Sequence, residues 1–339
     1  MPPAPEPTIV ARRLHAQGLT GAPCLSVVAV VRRLGAVQAQ DYAAARWAIS
    51  QRTRETTAAE FNRLFDAGVL LRTHVLRPTW HVVLPEDIRW LLALTGPRVR
   101  RGLAARWRQL EIDDGVVARA AGIPPDGQRL PHLLMGAELD GLITSGPRRG
   151  AQVTYALLEE RAAPGGALDR ADAVAELTRR YFQSHGPAQV QDFVWWSGLS
   201  VADARAGLAR AGAALKHQVL EGKDYWFSAE AGPSDTAAVV AHLLANFDEY
   251  TVAYRDRAAL VPAAHPGAPA LVADGSLLSS VVIIGGRMRG VWARKSARGG
   301  VRVEVRLRDR LAPAEAAAVE AASQRLARFL GQPVALTWL

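Results

Sequence analysis

Cysteine is almost absent from this chain of 339 residues, and lysine is scarce. Cys24 stands alone, which excludes a disulfide framework and any metal site built from several cysteines, so a reducing cytoplasm is the expected compartment. Only three of the 41 basic residues are lysines. Arginine binds phosphate through two parallel hydrogen bonds, and its excess therefore favours a polyanionic partner.

Long apolar runs are also missing. No stretch approaches the roughly 20 residues needed to cross a bilayer, and residues 1–7 have neither the basic start nor the apolar run of a signal peptide. The chain contains no P-loop, dinucleotide fingerprint, His-Glu-x-x-His or Gly-x-Ser-x-Gly motif. Its eight histidines lack regular ligand spacing. We therefore expect an intracellular protein that uses no cofactor and no metal.

The positive charge is concentrated in two segments. Residues 88–110 carry a net +6, residues 287–310 carry +7, and the remainder of the chain is net −4 although the whole is +9. The segments are either two solvated faces or two walls of an anionic groove, because phosphate binding requires clustered cations. The arginines predicted to contact DNA from these segments are Arg98, Arg100, Arg101, Arg287 and Arg289.

The pattern of apolar residues predicts a repeated order of helices followed by a hairpin, which is typical of a winged helix. The first copy has helices at 9–17, 25–35 and 57–67 and strands at 69–75 and 79–84. The second has a helix at 128–140 and a basic turn with Arg148 and Arg149. The third has helices at 171–185, 189–197 and 201–210 and a hairpin of 215–220 with 225–227.

After residue 233 the pattern changes to short strands, separated by glycine and proline. Strands are predicted within 239–247, 276–284, 287–292 and 301–307, with a loop at 262–269 and a final helix at 313–330. The predicted fold is therefore α+β, with three tandem winged-helix units and a small C-terminal β-barrel or sheet. The predicted boundaries are 7–110, 111–165, 166–230 and 231–339.

Two glutamines separated by one residue are the first candidate site. Gln38 and Gln40 lie in an extended segment, so their side chains are predicted to point the same way within an apolar neighbourhood. They either cap backbone groups between a helix and the hairpin or form part of a functional site.

Other polar and aromatic pairs allow two interpretations each. His74 and His81 lie on facing strands of the first hairpin, where a core or polar pair is favoured over a metal site. Trp195 and Trp196 have the spacing of a helix and are predicted to be core residues rather than a stacking platform.

Several segments along the chain resemble the AlkZ-like bacterial DNA glycosylases, within the winged-helix DNA-binding superfamily. The matching segments are residues 37–42, 45–48, 72–81, 184–188, 192–199, 246–250 and 254–257. The resemblance implies that Gln38 and Gln40 are the Gln-x-Gln catalytic motif. A second branch, similar to YcaQ, carries Gln-x-Asp. The family fold implied is a set of tandem winged helices and a β-domain around a concave basic channel.

The implied activity is hydrolysis of the N-glycosidic bond of N7-alkylated purines, including bulky adducts or interstrand crosslinks. An amide is too weak a base to deprotonate water, so the glutamines would position it. The residues that the hairpin is predicted to present to double-stranded DNA are His74, Arg77, Thr79, Trp80 and His81. A winged-helix protein without catalysis, such as a regulator, is the alternative. Regulators of palindromic sites are usually dimers, whereas this sequence predicts a monomer, associated with the nucleoid.

Overall fold

The computed structural model describes residues 9–112, 127–230, 239–261 and 279–339. Across these ranges helices and strands are combined in an α+β architecture, as predicted. The predicted boundaries at residues 7 and 231, the loop 262–269 and the first residues of the strand at 276–284 lie outside the described residues.

The first helix–hairpin unit forms from a different set of helices than predicted. The first elements along the chain are α1 (Ile9–Ala16), α2 (Val27–Leu34), β1 (Val37–Gln38), α3 (Tyr42–Ser50), α4 (Ala58–Asp66), β2 (Leu71–His74) and β3 (Trp80–Val83). The apolar side chains of α1 pack on the C-terminal sheet, while α3, which the sequence did not predict, contributes to the core of the unit. The strands of the unit pair in the order β1-β3-β2.

Local capping fixes these helices. The Ser26 side chain accepts a hydrogen bond from the Ala29 backbone at the start of α2, and Thr57 does the same for Glu60 at the start of α4. The helices enclose an apolar core that includes Phe61 and Phe65. Helix α3 has no simple apolar stripe, because most of its residues are buried among neighbouring elements.

The first basic segment is mostly one long helix, α5 (Pro85–Gln109), which the sequence did not predict. It begins at a proline, which suits the first turn, and contains Pro97. It leads to the second helix–hairpin unit, whose elements are α6 (Arg129–Leu139), β4 (Ile143–Ser145), β5 (Tyr155–Leu157) and α7 (Leu158–Arg161).

The helices and strands of the third helix–hairpin unit begin and end within two residues of their predicted positions. Helices α8 (Arg170–His185) and α10 (Val201–Ala211) pack closely. Asp192 accepts from the Gln189 backbone N–H at the start of the second helix, and a capping box of Ser200 and Asp203 starts the third. The elements are α8 (Arg170–His185), α9 (Val190–Ser197), α10 (Val201–Ala211), β6 (Leu215–Leu220) and β7 (Lys223–Ser228).

The elements of the C-terminal region are β8 (Ala241–Leu244), α11 (Glu249–Val252), β9 (Val281–Ile284), β10 (Arg287–Ala297), β11 (Gly300–Leu307), α12 (Pro313–Leu330) and β12 (Val334–Trp338). The strands form an open sheet of order β12-β11-β10-β9-β8. Within the described residues they do not close, so the barrel alternative was wrong and the sheet alternative is confirmed. Strand β12 was not predicted, and it pairs parallel with β11.

This sheet also anchors the segment after Gln40. One face packs against α12 and against Trp47 of α3, whose indole N–H donates to the Leu243 carbonyl at 2.7 Å. The other face packs against α1. The C-terminal region therefore fixes the position of α3 and of the glutamine pair before it.

Candidate active site

Gln38 is held at both its backbone and its side chain. The residue is 8% exposed and pairs with His81 across β1 and β3. Its backbone N–H donates to Glu249 Oε1 at 2.7 Å, and its side-chain Oε1 accepts from Arg77 Nη2 at 2.9 Å. The carboxamide therefore has a defined orientation before any substrate binds.

Glu249 is the buried anchor of this arrangement. Its side chain is fully buried, and Oε2 accepts from the Trp196 indole N–H at 2.9 Å. His185 Nε2 lies 3.5 Å from the same oxygen. Burial raises the pKa of the carboxyl, but the contacts with His185 and with the Gln38 backbone outweigh it, so the pKa of Glu249 is lowered. The group is ionised at neutral pH.

Gln40 differs from Gln38 because it is exposed. The backbone between them is fixed by two hydrogen bonds: the Ala39 N–H donates to the Trp80 carbonyl at 2.7 Å, and Arg72 Nε donates to the Ala39 carbonyl at 2.9 Å. The Arg72 guanidinium also lies 4.2 Å from the centre of the Trp80 ring. The Gln40 side chain is thus accessible on a rigid backbone.

Asp41 caps the helix that follows the glutamine pair. Its Oδ1 accepts from the Ala44 backbone N–H at 3.0 Å, and its Oδ2 lies 3.5 Å from Asn246 Nδ2. This carboxylate is exposed and has a structural role at the start of α3.

Two of the histidines that are predicted to contact DNA are buried in the structure. His74 is 2% exposed and hydrogen-bonds through Nδ1 to Glu138, and His81 is 0% exposed. Burial, followed by the charge of Arg77, lowers the pKa of His81 to about 3. The imidazole is therefore neutral at pH 7, and its Nδ1–H donates to the Thr79 carbonyl at 2.9 Å. In the described ranges no group of three His, Cys, Asp or Glu side chains could hold a metal ion.

The remaining hairpin residues that are predicted to contact DNA are Arg77, Thr79 and Trp80, and all three are half-buried. Arg77 points inward to Gln38, and burial lowers its pKa despite the opposing charge of Glu249. Arg77 therefore contacts Gln38, which its position in the hairpin turn did not indicate.

The predicted basic residues differ in how free they are to bind DNA. Arg98, Arg101, Arg149 and Arg287 are exposed. The others form ion pairs with acidic partners: Arg100 with Asp140, Arg148 with Asp66 and Arg289 with Glu315.

A cationic cluster that the sequence did not indicate lies beside α3. Burial lowers the pKa of Arg46, and the positive charges of Arg148 and Arg294 add to this effect. Arg46 Nη1 donates to Asn62 at 2.9 Å, and its guanidinium faces the Tyr42 ring. The charges of the basic turn and of strand β10, distant in the sequence, therefore both act on the helix that follows Gln40.

Among the residues that the structure describes, no helix is both long enough and apolar enough to cross a membrane.

Known proteins share both the sequence pattern and this fold. The model of the AlkZ-like DNA glycosylase family matches residues 31–123 and 111–329. The interstrand DNA cross-link repair glycosylase of Streptomyces sahachiroi is 26% identical over 302 residues, covering 78% of this chain and 81% of that protein. The solved structure of Streptomyces sahachiroi DNA glycosylase AlkZ has the same fold, with a TM-score of 0.74 and 22% identity over 97% of this chain and 98% of that one. Since the family model spans most of its length, this chain is an enzyme of the AlkZ-like DNA glycosylase family.

Proposed function

We propose that this enzyme releases N7-alkylated purines from double-stranded DNA, including bulky adducts and interstrand crosslinks. The family assignment and the name of the cross-link repair relative support the proposal. The observation that carries it is the pair formed by a side chain fixed in orientation, Gln38, and an accessible one, Gln40, on one short rigid segment.

The proposed reaction needs no strong base. An N7-alkylated purine is cationic, so when the bond from the anomeric carbon to the base nitrogen breaks, the electron pair neutralises the base and no acid is required. Water then forms the new bond to the anomeric carbon and loses its proton to solvent. The protein has to place that water and stabilise the oxocarbenium-like charge. Arg77 uses one of the two lone pairs of Gln38 Oε1. The second lone pair and the Gln40 carboxamide oxygen accept the hydrogens of the water, so that its oxygen is directed at the anomeric carbon.

We also propose the tandem winged-helix organisation for this chain, with units at 7–110, 111–165 and 166–230 and a C-terminal domain at 231–339. The order of helices before the β1-β3-β2 sheet supports the first unit. A basic channel for double-stranded DNA and a monomeric enzyme at the nucleoid remain part of the proposal. The exposed arginines of α5 and the cluster of Arg46, Arg148 and Arg294 support the channel.

The test is the release of 7-methylguanine and of a bulkier N7 adduct from duplex DNA. Wild-type protein is expected to release both, and Gln38→Ala and Gln40→Ala are each expected to lower the single-turnover rate by about 100-fold or more. Gln324→Ala, an exposed glutamine on α12, is the matched control and should react as wild type. Lack of release by wild type on every alkylated substrate refutes the activity. Full activity of both site variants refutes only the assignment of the glutamines.

A further inference from the structure

Helix α9 carries two consecutive tryptophans that have opposite environments. Trp196 is completely buried, as the sequence predicts for both. Trp195 is 45% exposed, so the prediction that it is a core residue was wrong. Its indole N–H donates to the Val252 carbonyl at 3.0 Å, which fixes the edge of the ring to the protein. A large aromatic side chain is therefore held in place with much of its surface in solvent.

Trp195 and Gln38 both contact Arg77. The Arg77 guanidinium carbon is 5.9 Å from the centre of the Trp195 ring, and Arg77 Nη2 is the donor to Gln38 Oε1. The Arg257 guanidinium approaches the same ring, also at 5.9 Å. Arg77 thus lies between the exposed indole and the candidate catalytic amide. Arg77 and Arg257 place two positive charges beside the indole ring.

A glycine makes this close approach possible. Gly198, at the end of α9, has φ +70°, and a Cβ built on it would lie 2.4 Å from the Leu76 carbonyl oxygen. No other residue fits between the hairpin turn and the end of α9 without displacing one of them. The turn therefore lies directly against α9, and this packing brings Arg77 to Trp195.

We propose that Trp195, bordered by Arg77 and Arg257, is the subsite that stacks on a planar aromatic ring of the DNA lesion while Gln38 and Gln40 act at its sugar. This inference rests on the proposed function. An exposed indole binds the π-face of any nucleobase or aromatic adduct. The neighbouring guanidinium groups complement the phosphate and the carbonyl edges of the same nucleotide. The ring is either the modified purine or an aromatic group attached to it.

The experiment compares two lesions, 7-methylguanine and 7-benzylguanine, at the same position of one duplex. Single-turnover release and Kd by fluorescence anisotropy are measured for wild type, Trp195→Ala, Trp195→Phe and Trp338→Ala. Trp338, which is 43% exposed on β12, is the control for loss of an exposed indole elsewhere. Circular dichroism and thermal unfolding verify that each variant is folded.

We expect Trp195→Ala to lower the ratio of the single-turnover rate to Kd at least about tenfold, a loss typical of one base–aromatic stack. Trp195→Phe should recover most of it, and Trp338→Ala should stay within about twofold of wild type. An equal loss on both lesions identifies the purine as the stacked ring, whereas a larger loss on 7-benzylguanine identifies the adduct. Values within about twofold of wild type for Trp195→Ala on both lesions, or no recovery with Phe, overturn the subsite.

The binding measurement separates this inference from the proposed activity. If wild type releases neither lesion, the proposed function fails. The Kd values of the methylated and benzylated duplexes still test the subsite, because stacking does not require bond cleavage. If Trp195→Ala leaves both Kd values within about twofold of wild type, the subsite is overturned independently of catalysis.

Discussion

Replacement of Glu249 by glutamine tests how a buried carboxylate supports the candidate active site. The carboxylate accepts from two buried donors, the Gln38 backbone N–H at 2.7 Å and the Trp196 indole N–H at 2.9 Å. A carboxamide of the same shape has only one oxygen, so one donor loses its acceptor. An unsatisfied buried donor costs about 1–3 kcal/mol, and Glu249→Ala, which leaves both unsatisfied, costs about 2–6 kcal/mol.

Urea unfolding at pH 7 measures these losses, with Glu159→Gln at an exposed position as the matched control. Because the pKa of Glu249 is lowered in the folded state from an ordinary value of 4.5, its ionised form adds stability above that pH. That contribution is lost as the pH falls through the folded-state pKa. The difference between wild type and Glu249→Gln should therefore shrink below about pH 4.5.

The same substitution should slow lesion release, since the Gln38 backbone loses its anchor. An unfolding free energy within about 0.5 kcal/mol of wild type, together with an unchanged single-turnover rate, would refute the reasoning that Glu249 holds the motif.

Burial, with the charges of Arg325 and Arg52, lowers the pKa of His242 from 6.5 to about 3, so acid favours the unfolded chain, which binds the proton more readily. Unfolding free energies are measured from pH 7 to 3 for wild type and for His242→Phe. By pH 3 the wild-type value should have fallen by up to about 4–5 kcal/mol more than that of the variant; an equal fall in both proteins contradicts this. Arg98→Ala/Arg101→Ala should reduce the slope of log Kd against log salt by about one per lost phosphate contact. The slope should be unchanged in Arg328→Ala, an exposed arginine outside both basic segments; equal slopes in all three proteins exclude α5 from the DNA interface.

Elements with a local signal were predicted well. The predicted helices 57–67 and 313–330 are α4 and α12: Thr57 caps the start of α4, and Pro313 and Gly331 mark the two ends of α12. The capping residues act within four positions of themselves, so the sequence alone contains the necessary information. The third helix–hairpin unit, with its regular apolar period, was located to within two residues for the same reason.

Elements defined by their surroundings were missed. Helix α3 is buried on one side by the apolar core around Phe61 and Phe65 and on another by the C-terminal sheet. It therefore lacks the apolar stripe of a surface helix. Helix α5 was not predicted because its many arginines and Pro97 interrupt the apolar pattern that indicates a helix. Strand β12 is half-exposed and takes its conformation from parallel pairing with β11, a contact that no local pattern reveals.

The sequence by itself determined the α+β class, the paired glutamines, the two basic segments and the resemblance to a glycosylase family. Those features depend on residue type, spacing and composition, which remain the same in any conformation. The tertiary structure decided which groups surround the glutamines. Glu249 lies 211 positions from Gln38 and Arg77 lies 39 positions away, and only packing brings their atoms within hydrogen-bonding distance. Packing also decided that His81 is buried and neutral while Trp195 is exposed, because burial depends on which elements meet.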